Sequence, residues 1–147
     1  MKISTKVEYG LIAIIDIALY SEGDKSVNSV QIAERHGISK KFLEQIMNSL
    51  RIARLVTALK GAKGGYRLTK PTNEITLSEI LNALDISILA EPCSNFSDDT
   101  KIRNLIDNDV WKKMNDSVLN VTDNITLADL LEDYYNINSV NQLMYYI

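Results

Sequence analysis

Residues 59–68, Leu-Lys-Gly-Ala-Lys-Gly-Gly-Tyr-Arg-Leu, place three glycines and two lysines between two short apolar stretches. A loop with so little to pack is useful only where the backbone must turn tightly or come close to something else. The flanks, residues 55–59 and 66–69, are short enough for strands, and Tyr66-Arg67-Leu68 alternates apolar, charged, apolar. The stretch is therefore predicted to be a basic hairpin. A nucleotide-phosphate cradle is the nearest alternative, but that motif is G-x-x-x-x-G-K-[ST] between a strand and a helix. GAKGGY does not satisfy it.

What precedes the hairpin is helical. Ser4 or Thr5 can cap a helix to about Tyr20, with Val7, Leu11, Ile14, Ile15, Ala18 and Leu19 at helical spacing. Ser29 is expected to cap a short helix over residues 30–36, closed by Gly37 in a left-handed conformation. Ser39 caps the next one. There Phe42, Leu43, Ile46, Met47 and Leu50 form one apolar face, and Lys41, Glu44, Gln45 and Asn48 the opposite one. A short helix, a glycine turn and a longer amphipathic helix are spaced as in a helix-turn-helix, although an ordinary helical hairpin has the same pattern. The basic hairpin that follows completes the order of a winged helix.

After Pro71, Thr76-Leu77-Ser78-Glu79 has the form of a capping box opening a helix to about Leu84. Residues 87–99 lack periodicity and read as a loop. The longest helix is predicted to begin at Asp98, Asp99 or Thr100. Its apolar residues Ile102, Ile106, Val110, Met114 and Val118 recur every four positions, widened by Leu105, Trp111 and Val121. So long a stripe exceeds what a small domain's own core needs, and a second copy of the chain is the simplest cover. Thr126-Leu127-Ala128-Asp129 caps a last helix expected to end near Tyr135, before an apolar tail over residues 142–147. The predicted fold is mainly α with a small β-hairpin wing: a winged helix-turn-helix over residues 1–70, a connecting helix and loop over 71–99, and a dimerisation helix, C-terminal helix and tail over 100–147.

Charge and composition narrow the function. Through Lys70 the chain holds twelve basic and six acidic residues, a net +6, so the remainder carries −9 against the overall −3. Only the first half suits a polyanion. A single cysteine, Cys93, excludes a disulfide framework and fits a reducing cytoplasm. Lys2 and Lys6 before LIAIIDIALY superficially resemble a secretion signal, but Glu8 and Asp16 interrupt it, and no apolar run approaches the roughly 20 residues that span a bilayer. One histidine and one cysteine far apart supply no nucleophile-base pair, and no cofactor fingerprint is present, so an enzyme is not expected.

MKISTKVEYGL at the start, GISKKFLEQIMNSLR on the second helix of the pair, LVTALKGAKGGYRL at the wing, ITLSEIL after it and NITLADLL near the end together resemble the IscR, NsrR and CymR family of bacterial winged-helix transcriptional regulators. The resemblance spans nearly the whole chain. It implies a homodimeric DNA-binding regulator, a repressor in character, whose two recognition helices meet operator half-sites about 34 Å apart. The DNA contacts it implies are Ser39, Lys40, Lys41, Glu44 and Gln45 on the recognition helix and Lys60 and Lys63 on the wing. Their chemistry agrees, because Gln45 can pair with adenine, Glu44 can accept from cytosine N4, and lysines meet phosphate. Two positions depart from the family pattern. Lys60 stands where arginine is common, giving a point donor in place of a fork, and Val7-Glu8 stands where a Gly-Arg pair is common.

The resemblance also frames the signal. Iron-sulfur members of the family use three loop cysteines and one further ligand; here Cys93 matches the first, Asp99 and Leu105 fall at the others, and Asn108 occupies a histidine-ligand position. One thiolate cannot hold the usual cluster, so no cofactor is expected. The remaining metal-ligating candidates are Cys93, Glu8 and His36, the last also readable as a helix-end residue facing free carbonyls. Cys93 is either a plain loop thiol or a redox-reactive one, which leaves a metal- or redox-sensing regulator as the alternative. The apolar end is similar to that of the cysteine-metabolism repressors of the CymR branch. It implies that Tyr146 and Ile147 dock on a cysteine-synthesising thiol-lyase, or else pack on the protein's own dimer.

Overall fold

The computed structural model describes residues 3–90 and 101–146. Helix α1 (Thr5–Tyr20) starts at Ser4, whose hydroxyl accepts from the Val7 N–H, and buries Val7, Ala13, Ile14 and Ile17. It packs on α3, α4 and α7 and on the hairpin, which makes it the spine of the molecule. A Cβ at Gly10 would stand 2.4 Å from the Leu84 methyls, so any larger residue in α1 would have to displace this buried side chain of α4 (Leu77–Leu84).

Helix α2 (Ser29–His36) opens one residue earlier than the sequence pattern suggested: Asn28, not Ser29, is the cap. Its side-chain oxygen accepts from the Val30 N–H at 2.8 Å, and the Gln31 side chain accepts from the Asn28 N–H at 3.3 Å. The physical reason is reciprocal capping. Asn28 has Gln31 three residues on, whereas Ser29 has Ile32 there, which cannot return the bond. Gly37 closes α2 at φ 65°, as expected. Ser39 then caps α3 (Lys40–Ile52), which buries Leu43, Ile46, Met47 and Leu50.

His36 does not serve the helix-end carbonyls. Its Nε2 lies 2.7 Å from Oδ2 of Asp16, a residue of α1 that is only 2% exposed. Arg35 completes the group, donating from Nε at 2.9 Å and from its terminal nitrogen at 2.6 Å, with its guanidinium 4.5 Å from the centre of the Tyr20 ring. A buried carboxylate is tolerated only when its oxygens are satisfied, and here α2 satisfies them. The Asp16 hydrogen bond in turn raises the Arg35 pKa.

Strands β1 (Val56–Leu59) and β2 (Gly65–Leu68) pair antiparallel, Val56 opposite Leu68 and Leu59 opposite Gly65. Val27 adds a third, one-residue edge through reciprocal bonds with Tyr66 of 2.9 and 2.8 Å. That edge needs Gly65, because a Cβ there would lie 2.6 Å from the Val27 carbonyl. Tyr66 and Leu68 pack against the core.

The two similar segments Ile75-Thr76-Leu77 and Ile125-Thr126-Leu127 meet across an antiparallel bridge, with the Leu77 and Leu127 N–H groups donating to Ile125 and Ile75 at 2.8 Å each. Each threonine also caps its own helix, α4 or α7 (Leu127–Tyr145), through a reciprocal capping box with Glu79 or Asp129. Burial pushes the Glu79 carboxyl up, but hydrogen bonds from the Lys70 ammonium at 2.6 Å and the Thr76 N–H outweigh it and hold it below its ordinary 4.5. A depressed carboxyl contributes stability above its unfolded pKa, and the contribution is lost as pH falls through the folded value. Glu79→Gln is therefore expected to flatten the loss of stability below pH 4.5, read as urea midpoints down the acid limb. An unchanged acid limb would overturn the assignment.

Leading to this junction, α5 (Lys101–Ile106), a π turn (Asp107–Trp111) and α6 (Lys112–Asn124) run as one rod, roughly 35 Å long at 1.5 Å per residue, while the expected start at Asp98, Asp99 or Thr100 lies outside the described residues. A strict four-residue repeat drifts about 40° per step around an α-helix. The π turn takes up an extra residue and brings Val110 and Met114 back toward the line of Ile102 and Ile106. Helix α7 differs from expectation: it continues past Tyr135 to Tyr145, so most of the expected tail is helical. Residues 136–141 are Asn- and Ser-rich and of low helix propensity, but no glycine or proline interrupts them, and the helix propagates from its strong cap. One apolar cluster runs from Val7 to Leu127 and takes in Ile75, Ile80 and Leu89. Among the described residues no helix is long and apolar enough to cross a membrane.

Candidate nucleic-acid interface

Burying Leu43, Ile46, Met47 and Leu50 forces the opposite side of α3 into solvent. Ser39 caps the helix, and Lys40, Lys41, Glu44 and Gln45 are all exposed. Lys41, Glu44, Gln45 and Asn48 follow i, i+3, i+4, i+7 spacing and share one face. Arg51 continues that face and donates to the Asn48 side-chain oxygen at 3.0 Å. Asn48 and Arg51 were absent from the sequence-based contact set, although the same spacing carried through one more turn points to them. Both can meet base edges or phosphate.

The wing places Lys60 and Lys63 on its exposed turn, where Gly61 sits at φ 105°. The turn is tied down, because the Ser26 hydroxyl donates to the Lys63 carbonyl at 2.7 Å. This fixes the backbone while leaving the side chain exposed. Among the described residues Lys40, Lys41, Lys60 and Lys63 form no ion pair. Four cations in two groups, one at the start of α3 and one on the hairpin, therefore retain their full capacity for phosphate.

The sequence matches the Rrf2 family, described as iron-dependent transcriptional regulators, over residues 3–133. This chain is an Rrf2-family regulator. The HTH-type transcriptional regulator IscR of Vibrio campbellii is 33% identical over 133 residues, covering 90% of this chain and 79% of that protein. Among solved structures, CymR, the global cysteine regulator of B. subtilis, superposes with a TM-score of 0.73 at 34% identity, covering 88% of this chain and 95% of that one. IscR of T. potens gives 0.73 at 36%, covering 91% and 88%. These relationships agree with the winged helix-turn-helix and with DNA binding as the function of this Rrf2-family chain.

The donor set of this Rrf2 protein does not fit the iron-sulfur cluster considered from the family resemblance. The whole chain has one thiol, Cys93, which lies outside the described residues, as does Asp99. Leu105 has no donor atom, and the Asn108 amide donates to the Asn104 carbonyl at 2.8 Å. His36 is held by Asp16, and Glu8 is exposed on the first turn of α1. No group of three His, Cys, Asp or Glu side chains gathers around a common point among the described residues. Iron-sulfur clusters need several thiolates.

Proposed function

We propose that the protein is a cytoplasmic, homodimeric repressor that binds operator DNA without an iron-sulfur cluster. The observation that carries the reading is the outward face of α3: Lys41, Glu44, Gln45 and Asn48 exposed together, with Lys40 beside them on the helix and Lys60 and Lys63 on the wing, none of these lysines in an ion pair with a described residue. Gln45 and Glu44 read base edges, and Ser39, Lys40, Lys41, Lys60 and Lys63 hold the backbone. The exposed stripe of Ile102, Leu105, Val110 and Met114 supports dimerisation, since a monomer would leave it in water.

Mobility shift across a salt series tests the interface. Lys60→Ala and Lys63→Ala are each expected to lower the slope of log affinity against log salt by about 0.9, while weakening binding at all sequences alike. Genomic footprinting supplies the operator. An unchanged slope in both variants would remove the wing from the contact set.

The regulated pathway on this reading is cysteine and sulfur metabolism, in complex with a cysteine-synthesising thiol-lyase. Its support is the similarity to a global cysteine regulator, the lack of thiolates for a cluster, and Tyr146, which is 91% exposed at the end of α7. Ile147 lies outside the described residues. A pull-down with the thiol-lyase is expected to fail after deletion of residues 145–147, and undiminished capture would exclude the tail as the docking element.

A further inference from the structure

A cleft of about 790 Å³ lies where α1 ends, the outer face of the hairpin passes and α7 crosses. Arg67 is its chemical centre. It stands on β2 opposite Thr57 and is half-buried, and its guanidinium makes no hydrogen bond or ion pair with any described residue. A guanidinium carries five donors in a fixed fork that matches a carboxylate, and withdrawing it from water without a partner is costly. The other cation, Lys70, already bonds Glu79 at 2.6 Å and so contributes little net charge. Leu131 and Tyr135 contribute apolar surface from α7, and Glu22 adds a negative charge to the lining.

We propose that this cleft is a ligand site for a small monocarboxylate with a short apolar body. The carboxylate takes the Arg67 fork, and the body lies against Leu131 and Tyr135. Glu22 acts against polyanions, so nucleotides and polyphosphates are disfavoured. Since Arg67 belongs to the hairpin whose turn carries Lys60 and Lys63, and Tyr135 to the C-terminal helix, an occupant touches the DNA-binding wing and the C-terminal half at once.

Benzoate is the probe, with benzyl alcohol and inorganic phosphate as controls, titrated into the full chain and followed by two-dimensional NMR. Saturable shifts are expected at Thr57, Arg67 and Tyr135, with both controls roughly tenfold weaker or more, as expected for losing a charged hydrogen bond or an apolar wall. Arg67→Met should weaken benzoate by a similar factor, with Arg67→Lys intermediate. Tyr135→Ala, a substitution of an exposed side chain, should weaken it too with the fold intact. Shifts that do not saturate, benzoate binding equal in wild type and Arg67→Met, or benzyl alcohol binding as tightly as benzoate would each overturn the site.

Discussion

Aspartate at both Val110 and Met114 is expected to leave a folded monomer whose operator affinity is lower by about a hundredfold or more. Both positions lie on the stripe of the long helical rod and are 39% and 58% exposed in the single chain, so the change removes little from the protomer's own core. Two carboxylates per protomer, facing two more across the proposed interface, would have to be desolvated beside like charge, a cost that association cannot offset. Each monomer would then meet one half-site, losing the second, intramolecular contact. Sedimentation velocity reports the oligomeric state, circular dichroism the fold, and mobility shift the affinity. A double variant that remains dimeric, or a monomer that binds the operator as tightly as before, would sink the dimer reading.

The second large effect is expected inside the winged helix-turn-helix. Asp16→Ala removes the acceptor for two Arg35 bonds and one His36 contact, and should cost about 3 kcal/mol of stability. The figure stays at the lower end for a broken buried pair because the Arg35 and His36 side chains are 35% and 33% exposed and can turn to water. For a chain of this length, each kcal/mol corresponds to roughly 2–4 °C of melting temperature. Asp16→Asn keeps one carbonyl acceptor and should lose less. Since α2 supports α3, loosening it from α1 should also weaken operator binding, with the salt slope preserved because no phosphate contact is lost. Chemical denaturation and mobility shift of both variants check this; a loss confined to the salt slope would place Asp16's role elsewhere.

Much of the fold was legible because its signals are local. Ser39, Thr76 and Thr126 cap helices within one turn of their own positions, Gly37 needs only its own backbone angle, and the alternation at Tyr66-Arg67-Leu68 is a strand's own period. The Asn28 cap was equally local and was there to be read in Gln31 three residues on. The end of α7 was harder to place, since weak helix formers between Tyr135 and Tyr145 lower propensity without stopping propagation from the cap.

The candidate interface divides the same way. Exposure of Lys41, Glu44 and Gln45 follows from helical spacing once the opposite face is apolar. The bond from Ser26 to the Lys63 carbonyl joins residues far apart in the chain, and no periodicity announces it. By itself the sequence determined the order of helices and hairpin, the polar outward face of α3, the lysines at the hairpin turn and the count of one cysteine. Only the tertiary structure decided that His36 serves Asp16, that Ile75 and Leu127 share a backbone bond, and that Arg67 opens onto a cleft beside Tyr135. Caps and periods are set by neighbours within a few residues, whereas buried charges, strand edges and clefts exist only once distant segments share a core.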